Sequence, residues 1–345
     1  MFVRRAFRVG WVKLLWSVCI CGALAGCAPL EYAPMGKVLT GYAHDEFVPY
    51  VETSDDPSLS CGSALGLDQL LGSFQRVIKR PYYDLMYAEM SAATCSERKS
   101  YAQDLRFLRA VRDHRGANAK DALIAEQHYE VITARRRYHA YLDMVALYGK
   151  PGKQCPRLTK DSDQFAYLMG ILAGLQAIRD DVRSGGQVGV PRNIALKSEE
   201  ASHCLSNRKW WGVPGAIRAS VWTIVPGAVP TNADPWKQFL ESDVLAEHSG
   251  VRLAIALYAM TAQNQGKTGL ERQAIALFAS TGKKMQAPKA YRLIDRLAEV
   301  EVHHLSDQIW TRKTGARTPQ GAFGTFPDAR EKTHRFKSLL NGLSN

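Results

Sequence analysis

Five side chains able to ligate metals or move protons fall close together near the end of the chain: Glu299, Glu301, His303, His304 and Asp307. On a helix, Glu299, His303 and Asp307 follow at four-residue steps and share one face. Metal sites use such spacing, but the His-Glu-x-x-His arrangement of zinc proteases is missing. The competing reading is a solvated or ion-paired helix face, and no metal or cofactor is expected here. His203 stands beside Cys204, the residue types of a cysteine nucleophile and its base; a disulfide is the competing use of Cys204. No Gly-x-Ser-x-Gly elbow, phosphate loop or paired-carboxylate signature occurs, and the glycine-rich stretch Gly185-Gly186-Gln187-Val188-Gly189 has no phosphate-loop lysine. These patterns do not describe an enzyme.

The most informative chemistry lies at the other end. Arg4, Arg5, Arg8 and Lys13 precede the apolar run Leu14-Leu15-Trp16-Ser17-Val18-Cys19-Ile20-Cys21, which leads into Leu24-Ala25-Gly26-Cys27. A basic head, a short apolar run and small residues before a cut form a secretory signal. With cysteine next, the stretch resembles a bacterial lipoprotein signal, in which Cys27 receives the lipid and becomes the first residue. The run is shorter than the roughly 20 residues a spanning helix needs. Arg4-Arg5-Ala6-Phe7 also resembles a twin-arginine export signal. Ala28 follows the cysteine where Asp would favour retention in the inner membrane. The expectation is therefore a periplasmic protein held by N-terminal lipid, at the outer membrane.

The formal net charge is +12, and residues 1–26 hold four basic and no acidic residues, which leaves +8 after cleavage. That balance suits an anionic surface or a solvated basic face. No basic run is interleaved with aromatics, so nucleic acid is not an expected partner. With 46% hydrophobic and 23% charged residues, the composition is that of an ordinary folded protein. Cys19 and Cys21 leave with the signal, so Cys61, Cys95, Cys155 and Cys204 remain, an even number in an oxidising space. Two disulfides are expected. Three connectivities are possible, and the sequential pairing, Cys61 with Cys95 and Cys155 with Cys204, is favoured.

Residues 27–59 are rich in Pro, Tyr, Gly and Asp with little periodicity, and read as anchor and tether. Helical spacing follows. Leu67, Leu70, Leu71, Phe74 and Ile78 recur at three- and four-residue steps, and Pro81 interrupts. In the long segment 119–148, Leu123, Ile124, His128, Val131, Ile132, Tyr138, Tyr141, Leu142 and Val145 mark the expected buried stripe. Arg135-Arg136-Arg137 within it is either an anion or headgroup site or a solvated face. Gly149-Lys150-Pro151-Gly152 ends that helix and suggests a boundary between an N-terminal helical region, 60–150, and a C-terminal one, 151–345. Asp161-Ser162-Asp163 offers capping chemistry for a helix over 163–183, where Gly170 and Gly174, one turn apart, allow close approach of another helix. Further helices are expected to the end, the last at 329–342. No long alternating strand pattern appears. The fold class is all-α, built from antiparallel helix pairs that form a degenerate tetratricopeptide-like solenoid.

One stretch resembles a known family. Trp210-Trp211-Gly212-Val213-Pro214-Gly215-Ala216-Ile217-Arg218 runs through Trp222 into Pro226-Gly227 and Asp234-Pro235-Trp236. It is similar to the T-component lipoproteins of tripartite ATP-independent periplasmic (TRAP) transporters, over roughly residues 160–285. The resemblance implies a lipid-anchored helical protein that self-associates, works beside a transporter or its substrate-binding protein, and holds a small hydrophobic ligand in an apolar groove. Phe165, Tyr167, Trp210, Trp211 and Trp222 would line that groove, and Arg218 would meet an acid headgroup. The expected function is thus to bind or relay a lipid or organic acid as accessory of a transport system. A scaffold that docks a protein partner is the alternative.

Overall fold

The computed structural model describes residues 28–328, and it is helical throughout, with no strand among the described residues. The lipid attachment at Cys27, the signal 1–26 and the helix expected at 329–342 lie outside the described residues. The segment expected to be a tether is helical instead. Helix α1 (Ala28–Tyr42) passes through a π-helical turn (Ala43–Phe47) into the short α2 (Val48–Glu52). Its weak periodicity hides an inner stripe: Gly36, Ala43 and Val48 are buried, and Leu39 packs with Ala43 against Leu71 and Leu85.

Helix α3 (Pro57–Ser73) begins at Asp56, whose carboxylate accepts from the amides of Ser58 (2.7 Å) and Leu59 (3.1 Å). Leu67 and Leu71 face inward, while Leu70 is exposed and the helix gives way to a 3₁₀ turn at Phe74. The two long helices α4 (Tyr82–Arg112) and α5 (Gly116–Tyr148) then form a hairpin along most of their lengths. The Cys61–Cys95 disulfide ties α3 to α4, and Cys155–Cys204 closes the second loop, as the sequential pairing requires.

Helix α6 (Asp161–Arg183) lies against α5. Gly170 and Gly174 make that approach possible: a β-carbon on Gly174 would come within 2.6 Å of Tyr141, and one on Gly170 would strike Met144. Asp161 and Asp163 sit in the first turn rather than capping it, so their contribution is to the helix dipole. Helices α7 (Ile194–Ser202), α8 (Val213–Ile224), α9 (Pro235–Ser249), α10 (Leu253–Asn264), α11 (Thr268–Lys284) and α12 (Arg292–Thr314) complete the array. Neighbours in sequence are mostly neighbours in space, but α8 also packs on α10, and α12 packs on both α10 and α4. One hydrophobic core runs from Met86 and Met144 through Phe165, Trp210 and Phe239 to Val302.

The long α5 differs from its expected face. Leu123, Ile124, Ile132 and Leu142 are exposed, whereas Ala122, Glu126, Glu130, Thr133, Arg137 and Ala140 are buried. The buried stripe is polar because it carries an ionic network. Arg137 meets Glu97 of α4 and Asp180 of α6 at 2.7 Å each, and Arg179 meets Glu97 at 2.7 Å and Glu301 of α12 at 3.2 Å. Of the arginine triplet, Arg135 is exposed, Arg136 donates to the Ala92 carbonyl (2.8 Å), and Arg137 is core. Burial, with Glu301 beside it, pushes the Glu97 carboxyl up to about 8. At neutral pH Glu97 is therefore protonated, and two guanidinium groups face two carboxylates, Asp180 and Glu301. A balanced network is the form in which such charges tolerate a low-dielectric interior.

Candidate functional site

Helix α12 divides the acidic and histidine cluster between two environments. Glu301 turns into the ionic network, while Glu299, His303 and Asp307 line a cleft of about 460 Å³ between α12 and α4. Asp55 and Pro57 at the start of α3 and Arg317 after α12 also line it. Ala102, Leu105 and Val300 add apolar surface, with the Tyr101 ring beside them. Arg98 and Arg296 contribute from α4 and α12, so three arginines line this cleft beside the acidic residues Asp55, Glu299 and Asp307.

The carboxylates are largely engaged. Glu299 accepts from Arg252 and Arg296, both at 2.8 Å. Burial works to raise its carboxyl, yet the hydrogen bond and charge of Arg252 hold it below its ordinary value. Asp307 accepts from the Thr318 amide (3.0 Å) and stands 3.9 Å from Arg317. Arg98 donates to the Ser58 hydroxyl at 2.6 Å.

The two histidines differ. His303 stacks flat on Phe323, with ring centres 4.0 Å apart. His304 stacks on Tyr101 at 3.8 Å, and its Nε2 lies 3.0 Å from Asp104, which also accepts from Gln308 at 2.5 Å. Burial lowers His304 despite Asp104, so the ring is neutral at pH 7 and donates to the carboxylate. Burial opposes ionisation of Asp104 as well, but these hydrogen bonds bring its carboxyl below the ordinary value. This pair braces the wall of the cleft and fixes how α12 sits on α4. Among the described residues no group of three or more His, Cys, Asp or Glu converges to hold a metal ion.

Nothing in this cleft is a nucleophile poised beside a base. Arginines around a partly apolar hollow can hold an organic anion: the guanidinium forks match a carboxylate, and the apolar wall takes a hydrocarbon body.

The aromatic residues expected to line a groove are elsewhere. Phe165, Trp210 and Trp211 do come together, with ring centres 5.4–6.2 Å apart, and Tyr291 closes the cluster. They are core, however, and none of the three exceeds 8% exposure. The turn that holds them is tight. Trp211 and Gly212 both have positive φ, 53° and 80°, and a β-carbon on Gly212 would enter the Ser242 backbone. The Asn207 side chain accepts from the Gly215 amide at 2.7 Å. Tyr167 packs edge-on to Tyr148, at 5.9 Å, away from this cluster. Trp222 donates to Glu199 (3.0 Å) and Arg218 to Ser202 (3.2 Å), so both are engaged on the α7–α8 side. Phe165 borders one void of about 40 Å³, room for a water rather than an organic ligand. None of the six lines the α4–α12 cleft. The disulfide removes Cys204 as a nucleophile, and His203 bonds Glu199 at 3.3 Å.

Arg98, Arg296 and Arg317 carried no sequence signal, because they are scattered over three segments that only the return of α12 brings together. The four-residue spacing of Glu299, His303 and Asp307 was the one sign of the cleft. No protein-family model, curated protein or solved structure matches the chain.

Proposed function

We propose that this protein is a lipid-anchored periplasmic lipoprotein that holds a small organic acid between α4 and α12, as the accessory of a transport system. The observation that carries the reading is the three arginines, Arg98, Arg296 and Arg317, around one partly apolar cleft. The signal-like stretch ending in Cys27 supports the anchoring at the outer membrane, and the two disulfides suit an oxidising compartment. The likeness of residues 210–236 to TRAP T-components supports the link to transport. In this reading the aromatic turn at Trp210–Gly212 builds the core, and the ligand lies elsewhere.

Calorimetric titration of the processed protein with aliphatic and aromatic carboxylates tests it. One acid is expected to bind, and Arg98→Ala or Arg317→Ala to weaken it about tenfold or more, since a charge-assisted hydrogen bond contributes roughly 1.5–3 kcal/mol. Uniform silence across the panel, or variants that bind as the parent does, would refute the site. The second reading, a scaffold for a protein partner, draws on Leu123, Ile124, Ile132 and Leu142, exposed along the outer side of α5. A stoichiometric crosslinked partner lost on Ile132→Asp, with no acid bound, would favour it.

A further inference from the structure

Helix α1 has two apolar faces, and only one is covered. Toward the protein, Gly36 lies against Phe74 and Ile78, and Leu39 joins Ala43 on Leu71. On the outside, Tyr32, Met35, Val38 and Tyr42 are between 47% and 73% exposed. Met35, Val38 and Tyr42 follow at steps of three and four residues, which aligns them on one side of the helix, while Tyr32 lies one turn before Gly36. Tyr50, in the short helix that continues the chain, is 72% exposed.

What covers this face is indicated by its place in the chain. Ala28, the residue after Cys27, already belongs to the helix. Taking the lipid attachment of the proposed function as given, Tyr32 lies within five residues of acyl chains inserted in a bilayer. A helix of 15 residues rising 1.5 Å per residue keeps its far end within about 22 Å of that surface. The residue types agree. Tyrosines belong at the headgroup level and Met and Val slightly deeper, while the exposed Lys37 suits anionic headgroups.

We infer that α1 lies in the membrane interface, with Met35, Val38 and Tyr42 in the lipid, and docks the folded protein on the bilayer instead of letting it swing on a tether. The acyl chains hold the protein to the membrane, and α1 fixes which side faces it. This inference rests on the lipoprotein reading.

The test uses the full chain, expressed in cells, purified in detergent and reconstituted in phosphatidylethanolamine–phosphatidylglycerol vesicles. Val38→Cys and, as a control, the exposed Lys237→Cys each receive an environment-sensitive fluorophore; Cys61, Cys95, Cys155 and Cys204 are paired. The label at residue 38 is expected to shift to the blue and to lose quenching by iodide, while the label at 237 remains water-like. Mass spectrometry of the N-terminal peptide reports lipidation separately. A lipidated protein whose label at 38 is quenched as freely as that at 237 overturns the docking and leaves the anchor. An unlipidated protein that stays out of the vesicles overturns both.

Discussion

Replacing Arg137 by Met removes the central cation of the buried network and leaves its neighbours in place. The side chain is 4% exposed and contacts Glu97 and Asp180 at 2.7 Å, with Glu301 at 3.9 Å. One charge pair near 4 Å is worth roughly 4 kcal/mol at an effective dielectric of about 20. Much of that is offset by the desolvation of the arginine, but the variant keeps the cost of the desolvated carboxylates. Breaking a buried pair from one side typically costs about 3–5 kcal/mol, a large share of a stability of order 5–15 kcal/mol. Glu97→Gln is expected to behave differently. With its carboxyl pushed up to about 8 by burial, Glu97 is already neutral at pH 7. A glutamine keeps an acceptor for the arginines and a donor for Glu301, and its unfolded chain gains nothing by ionising, so no net loss is expected at pH 7. Urea unfolding at pH 7 compares the two through the midpoint at constant slope. The pH dependence adds a second arm. A carboxyl raised from its ordinary 4.5 to about 8 gives stability that is complete below pH 4.5 and lost as pH rises toward 8. Glu97→Gln is expected to flatten that decline, by at most about 1.4 kcal/mol per pH unit. Equal damage from the two substitutions at pH 7, or an unchanged pH slope, would show that Glu97 is ionised in the folded protein and refute the reasoning.

Three further outcomes follow from the packing. Asp243 is buried, neither carboxylate oxygen has a hydrogen-bond partner, and burial pushes it up to about 8. Asp243→Asn is therefore expected to stabilise already at pH 6, where the unfolded carboxyl is ionised and the folded one is not, and by about 2–3 kcal/mol more at pH 9, read as a shift in melting temperature. Gly174→Ala is expected to cost about 1–3 kcal/mol in denaturant unfolding, since its β-carbon would press on Tyr141 and Ile194. Removing the Cys155–Cys204 bridge, which spans 49 residues, is expected to cost about 4 kcal/mol on the chain-entropy estimate; an unchanged midpoint under reducing conditions would count against it.

The helices were legible because apolar spacing, Pro and Gly mark them well; an even cysteine count gave two disulfides, and of the three possible connectivities the favoured sequential one is present. Gly170 and Gly174 announced a close helix contact that the structure contains. Two kinds of error have physical causes. On α5, apolar periodicity pointed to Leu123 and Ile132, but the interior is occupied by Arg137, Glu126 and Glu130, whose partners Glu97, Asp180 and Arg183 belong to other helices. A one-dimensional pattern records polarity and not partnership, so a satisfied buried charge looks like a solvated one. The Trp210–Trp222 stretch was read as a groove because large aromatics suit apolar ligands, whereas its tight turn packs them inward. The cleft arginines come from positions 98, 296 and 317, and proximity over such distances has no local signature.

The return of α12 onto α4 also bears on how the chain becomes a protein. Glu97 and Glu301 are brought to the same arginine, Asp104 is bonded by Gln308, and Arg109 donates to the Gly315 carbonyl across a separation of 206 residues. Contacts so distant in sequence close late, because the loop entropy must be spent before they form. Until residue 301 has emerged, the α4–α6 helices lack one carboxylate of their buried network. A chain that emerges end to end would thus hold these helices in a provisional state until α12 arrives and locks them, an interval in which proteases and chaperones can act.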